Sequence, residues 1–148
     1  MKSQGEIEAA VCDGVSRLQQ EFLGRGPQDI RSHLLGCLLV VRLQGVLTPA
    51  ERRLMNGGMP AAAAAPSNGH DGAAHDNGRY LVKQVRSHVM AVARPRLAEL
   101  VETTTGVKLV SLHHDISTVT GEELLVLTLD GQPACRPSRK EKERRPDR

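Results

Sequence analysis

Apolar residues recur at Ile7, Val11, Val15, Leu18 and Phe22, at steps of four, four, three and four. That spacing predicts one buried stripe on an amphipathic helix. Ser3 and Glu6 frame its start as a capping box, and Gly24 supplies the stop. Past Pro27 the period falls from 3.6 to two. Asp29 to Leu35 and Leu38 to Gln44 read as strands joined at Gly36, which makes a hairpin. In the second strand Leu39, Val41 and Leu43 share one face, and Leu38, Val40 and Arg42 the other. Both faces carry apolar side chains, so this strand is expected at the centre of a sheet or covered on both sides.

Thr48-Pro49-Ala50-Glu51 is a second capping box, with proline at the first helical position, where its missing N–H costs nothing. A short helix is predicted from there to Met55. Residues 56–78 hold five consecutive alanines, five glycines and two prolines without periodicity, and read as a mobile insertion. From Arg79 to Thr105 helical spacing returns through Leu81, Val82, Val85, Val89, Val92, Leu97, Leu100 and Val101. Pro95 inside that run is expected to kink or restart the helix, and Gly106 to end it. Val107 to Ile116 and Glu122 to Leu129 read as two further strands, the last with Leu125, Leu127 and Leu129 facing one way. The order αββααββ predicts an α+β fold: a four-stranded, mainly antiparallel sheet with helices packed on one face.

A chain of 148 residues is expected to form one domain, here residues 1–130. No apolar run approaches the ~18 residues of a membrane span. The net charge of +3 suggests nucleic acid until its placement is considered. Seven basic and three acidic residues fall between Arg136 and Arg148, so the remainder is nearly neutral. Residues 131–148 therefore read as a disordered basic tail. Cys12, Cys37 and Cys135 show no CxxC spacing, and Glu6 and Glu8 interrupt any leader-like stretch. A reducing, cytoplasmic compartment with free thiols is the expectation.

Candidate chemistry is sparse. His113-His114-Asp115 is the one cluster with metal-binding or acid–base character, yet strand alternation puts only His113 and Asp115 on a common face. Two ligands fall short of a zinc site, so no metal is predicted. Nucleophile-elbow, HExxH and phosphate-loop motifs are absent from the sequence, and no catalytic residue or cofactor is assigned. Arg25, between Gly24 and Gly26-Pro27, could offer a guanidinium to an anion or simply attend the helix exit. Nucleic-acid or anion binding through Arg25, Arg86 and the tail is the alternative function, weakened by having only Phe22 and Tyr80 as aromatics.

Five segments carry a family resemblance: Gly24-Arg25-Gly26-Pro27; Val40 through Gly45-Val46-Leu47-Thr48-Pro49-Ala50-Glu51; Leu81-Val82-Lys83-Gln84-Val85-Arg86; Arg94-Pro95 on to Thr105-Gly106-Val107; and Ser111 through His113-His114-Asp115-Ile116-Ser117-Thr118 with Thr120-Gly121-Glu122. In this order and spacing, over residues 4 to 130, they resemble the MpsC-like family. The resemblance implies a non-enzymatic accessory or regulatory protein of a Na+-translocating, membrane-potential-generating system linked to inorganic carbon uptake. It further implies a homodimer at the cytoplasmic face of the membrane, with a membrane transporter subunit as partner. Positions matching the family's polar pattern are Arg25, Arg42, Thr48, Glu51, Arg86, His113, Asp115 and Thr118, expected to form a functional surface or dimer contact. The insertion at 56–78 and the residues after Asp130 depart from the pattern, as does His114, where a smaller residue is usual.

Overall fold

The computed structural model describes residues 1–56 and 71–137. Seven elements follow in order: α1 (Gln4–Leu23), β1 (Asp29–Leu35), β2 (Leu38–Gln44), α2 (Pro49–Met55), α3 (Asp71–Thr105), β3 (Leu109–Ile116) and β4 (Glu123–Leu129). Both capping boxes form as the sequence predicts. Ser3 and Thr48 each accept from the amide three residues on, and Glu6 and Glu51 each accept from the cap amide in return. The Ser3 amide and hydroxyl hold the Glu6 carboxyl below its ordinary value. The β1–β2 turn is made by Gly36 at φ 62°, a left-handed conformation that a β-carbon would strain.

The strands form one antiparallel sheet in the order β1-β2-β4-β3. β2 is therefore central, as its two apolar faces predict. One sheet face supplies the core: Leu34, Leu39, Val41, Leu43, Leu125 and Leu127 lie at 0–6 % exposure. Against it pack Ile7, Val11 and Val15 of α1 and Val82, Leu97 and Val101 of α3. The alternate residues of the same strands form an open face in cross-strand rows. One row reads His33, Val40, Val126, His113, and the next reads Arg31, Arg42, Leu124, Asp115. Val40 and Val126 there are half-buried, and Leu124 is exposed.

Three sequence expectations are changed by the structure. α3 begins at Asp71 rather than Arg79, so residues 71–78 are helical. Their composition lacks a stripe, but extending an established helix adds a hydrogen bond per residue without a new nucleation cost. The five alanines and the rest of 57–70 lie outside the described residues. Of the two outcomes expected at Pro95, the restart does not occur, and α3 runs continuously across it. Pro95 is exposed, so the carbonyl left without its amide partner can be hydrated. Finally, residues 131–137, read as the start of the tail, pack on the domain: Pro133 is buried, and the Arg136 amide donates to the Lys2 carbonyl at 2.9 Å. The basic residues beyond Pro137 lie outside the described part.

Gly78 is the contact point between α2 and α3, because a β-carbon there would collide with the Leu54 carbonyl. Alanine for glycine inside a helix ordinarily stabilises by ~0.5–1 kcal/mol. Gly78→Ala is instead expected to destabilise by ~1–3 kcal/mol, since a backbone oxygen cannot rotate aside as a side chain would. A thermal melt decides it: an unchanged or raised midpoint would mean that α2 does not press on α3 at this position.

Candidate functional site

The domain's interior contains an ionic cluster built from α1, α2, α3, β4 and the loop after β2. Arg86 on α3 is only 1 % exposed. Its Nε and Nη2 donate to Glu51 Oε2 and Oε1 at 2.6 and 2.7 Å, a bidentate pair. Nη1 donates to Glu123 Oε2 at 2.9 Å, and Nη2 also donates to the Val46 carbonyl at 2.7 Å. Gln19 of α1 ends the chain of contacts, its Nε2 donating to Glu123 Oε1 at 2.7 Å. The planar guanidinium suits this position because it can serve two carboxylates and a carbonyl in one plane, which an ammonium cannot.

Glu51 does two jobs here. Besides clamping Arg86 it caps α2, accepting from the Thr48 amide at 3.0 Å while its own amide donates to Thr48 Oγ1. Burial pushes the Glu51 carboxyl up, but the Arg86 guanidinium and the Thr48 amide outweigh that and hold it below the usual carboxylate range. Arg25 approaches the same loop from the other side, donating to the Leu47 and Gly45 carbonyls at 3.1 and 3.3 Å. Two arginines thus staple residues 45–47.

The eight residues singled out from the sequence do not gather in one place. Arg25, Thr48, Glu51 and Arg86 converge on the loop after β2. Arg42 lies on the open sheet face, where Glu122 accepts from its Nε and Nη2 at 2.8 and 3.2 Å. His113 and Asp115 share that face, as strand alternation requires. Asp115 accepts from Lys83 Nζ at 2.8 Å, and this contact holds its carboxyl below the ordinary value. Thr118 sits in the β3–β4 turn. Sequence reasoning missed Glu123, Gln19 and His114. His114 points inward, its Nε2 3.5 Å from Glu123 Oε1, and among the described residues neither ring nitrogen nor Gln19 Oε1 has a hydrogen-bond partner. The one signal in the sequence was a glutamate in phase with Leu125, Leu127 and Leu129, a charge on the core face of a strand.

A small apolar pocket between α1 and α3 reaches the cluster at Gln19, with Val15, Phe22, Met90 and Leu125 among its lining. Two shallow grooves run between α3 and the edge strand β3, one lined by Tyr80, Lys83, Gln84, Ser87, His88 and Asp115, the other by Ser87, Met90, Ala91, Arg94, Leu112 and His114. Neither includes Arg86, Glu51 or Glu123. Among the described residues no three His, Cys, Asp or Glu side chains come together as metal ligands. Of the basic residues on α3, Arg86 is buried, while at the surface Lys83 pairs with Asp115, Arg96 with Glu21, and Arg94 reaches the Val110 carbonyl. What the arrangement does chemically is fix α2 and its loop to the sheet through desolvated, mutually satisfied charges.

No described helix is long and apolar enough to cross a membrane. No solved structure matches the chain. A Bacillus subtilis (strain 168) protein, the uncharacterized protein YbcI, is 28 % identical over 128 residues, which span 86 % of this chain and 89 % of that one. The family model described as "Na+-translocating membrane potential-generating system (MpsC)" matches residues 3–64 and 73–131. With all four strands and nearly every described helical residue inside those bounds, the chain belongs to the MpsC family.

Proposed function

We propose that this chain is a non-enzymatic accessory or regulatory subunit of a Na+-translocating membrane system, one that also handles inorganic carbon, working as a homodimer at the cytoplasmic face. The observation that carries this reading is where the polar groups are spent. The domain's buried ionic groups bond one another inside the fold, while apolar side chains remain on its surface, among them Leu81, Val85, Val92, Val110 and Leu124 at 38 % exposure or more. Catalysis needs the reverse: titratable groups converging on a cavity that a substrate can enter. An inner latch with an apolar exterior suits a module that docks. Family membership supplies the system it would dock to.

Co-purification from gently solubilised native membranes tests this. The tagged chain is expected to recover an integral membrane transporter subunit in a stoichiometric ratio. Truncation after Pro137 reads the part played by the basic residues beyond it. A protein recovered entirely without membrane partners would overturn the accessory role.

A further inference from the structure

The open face of the sheet carries a pattern that its own monomer does not use. In its middle row, His33, Val40, Val126 and His113 run across the four strands in register. That row reads the same from either edge. The row beside it reads Arg31, Arg42, Leu124, Asp115: two cations at one edge and an anion at the other. Arg31 and Arg42 stand directly opposite each other on neighbouring strands, an arrangement that destabilises a sheet unless anions answer it. Glu122 answers Arg42. Among the described residues Arg31 pairs only with Asp29, at 3.6 Å, and it is 72 % exposed. At the far edge, Asp115 uses Oδ1 for both Lys83 and the Ile116 amide, and Oδ2 accepts no bond from any described residue. The third row, Leu35, Leu38, Thr128 and Ser111, is apolar on the β1 side and hydroxylic on the β3 side.

We infer that this face stacks on the same face of a second copy of the chain, about a two-fold axis parallel to the strands and between β2 and β4. The inference deepens the homodimer reading above and rests on it. Such a rotation lays β1 over β3 of the second copy and β2 over its β4, keeping each row over itself reversed. Val40 then meets Val126, the apolar centre closes on its own image, and Arg31 meets the Asp115 oxygen left without a donor. Two charge pairs form by symmetry, one at each edge, as an isologous interface demands. Stacked sheets keep their strands within about 30° of parallel at a spacing of about 10 Å, which this axis satisfies. Strands about 4.8 Å apart and seven residues of about 3.3 Å give a face of roughly 19 by 23 Å. That is smaller than the ~800 Å² per partner of a standard interface, so a dimer of micromolar rather than nanomolar affinity is expected.

Sedimentation equilibrium across the micromolar range, on the full chain, tests the assignment. Arg31→Asp and Asp115→Arg are each expected to weaken association tenfold or more. Their combination, which exchanges the charges across the interface, is expected to return affinity to within about threefold of the starting protein. Val126→Glu is expected to abolish the dimer, with circular dichroism confirming a folded sheet. A starting protein that stays monomeric throughout would overturn the homodimer reading and this interface together. A dimer indifferent to Val126→Glu, with no restoration by the charge exchange, would overturn this interface alone and move the contact elsewhere, with the exposed α3 stripe of Leu81, Val85 and Val92 the next surface to mutate.

Discussion

Arg86→Met is expected to cost the domain ~3–5 kcal/mol, among the largest single losses open to it. The side chain is nearly isosteric along its stem, so the loss comes from what stays behind. Glu51 and Glu123, at 7 % and 0 % exposure, would each remain buried without a cation. Arg86→Lys is expected to recover only part of the loss, because a single ammonium cannot reproduce the bidentate clamp and the Val46 contact together. Combining Arg86→Met with Glu51→Gln and Glu123→Gln should recover more than Lys does, since no charge then stays desolvated. Urea titrations of the four proteins measure this directly.

The same substitution reverses the dependence on pH, which separates an electrostatic loss from a packing loss. In the native domain the Glu51 carboxyl lies lower than in the unfolded chain. Its contribution is therefore complete above the unfolded value and disappears as pH falls through the lowered folded one. Without Arg86, only the Thr48 hydrogen bonds still oppose burial, and the folded value is expected to rise above the unfolded one. The variant should then be most stable in acid and weaken as pH rises through that raised value. Urea midpoints at about pH 5 and pH 8 should be nearly equal for the native chain and lower at pH 8 for the variant. Equal midpoints in the variant would mean that Arg86 is chiefly a space-filling residue.

Local signals were legible and distant ones were not. Ser3 with Glu6, and Thr48 with Glu51, announce two helix starts because all the atoms of a capping box lie within four residues. The hairpin follows from period-two apolar residues on either side of Gly36, and its strands occupy the residues expected. Arg86 is different. As a helix residue among Lys83, Arg94 and Arg96 it reads as part of a solvated basic face. Its burial depends on Glu51 and Glu123, 35 and 37 positions away, and on Gln19, which reaches Glu123 across 104 positions. No local window contains those partners. The start of α3 was hidden for a related reason: residues 71–78 carry no stripe, and their helix is inherited from the packed turns that follow. Arg86 emerged as a family-matching position without any sign that it touches Glu51, whose only legible contact was the cap at Thr48.

Leu127→Ala and Val126→Ala, adjacent on β4, should differ severalfold in their cost to the monomer. Leu127 is wholly buried and pairs across the sheet with Leu39, itself at 0 % exposure. Removing three carbons there leaves a void between the central strands and the helices, worth ~2–5 kcal/mol. Val126 faces the other way and is already partly in water, so its truncation should cost the monomer under ~1 kcal/mol at low protein concentration. The order changes when association is read instead. Val126→Ala should weaken self-association and make the melting midpoint of the native chain less dependent on concentration. Leu127→Ala should lower the midpoint at every concentration by a similar amount. One strand thus reports on both layers: its inward residues hold the domain together, and its outward ones hold a second copy. If Val126→Ala proved as costly as Leu127→Ala in dilute monomer, the outward face would be part of the domain's own core, and the stacking of two copies through it would fail.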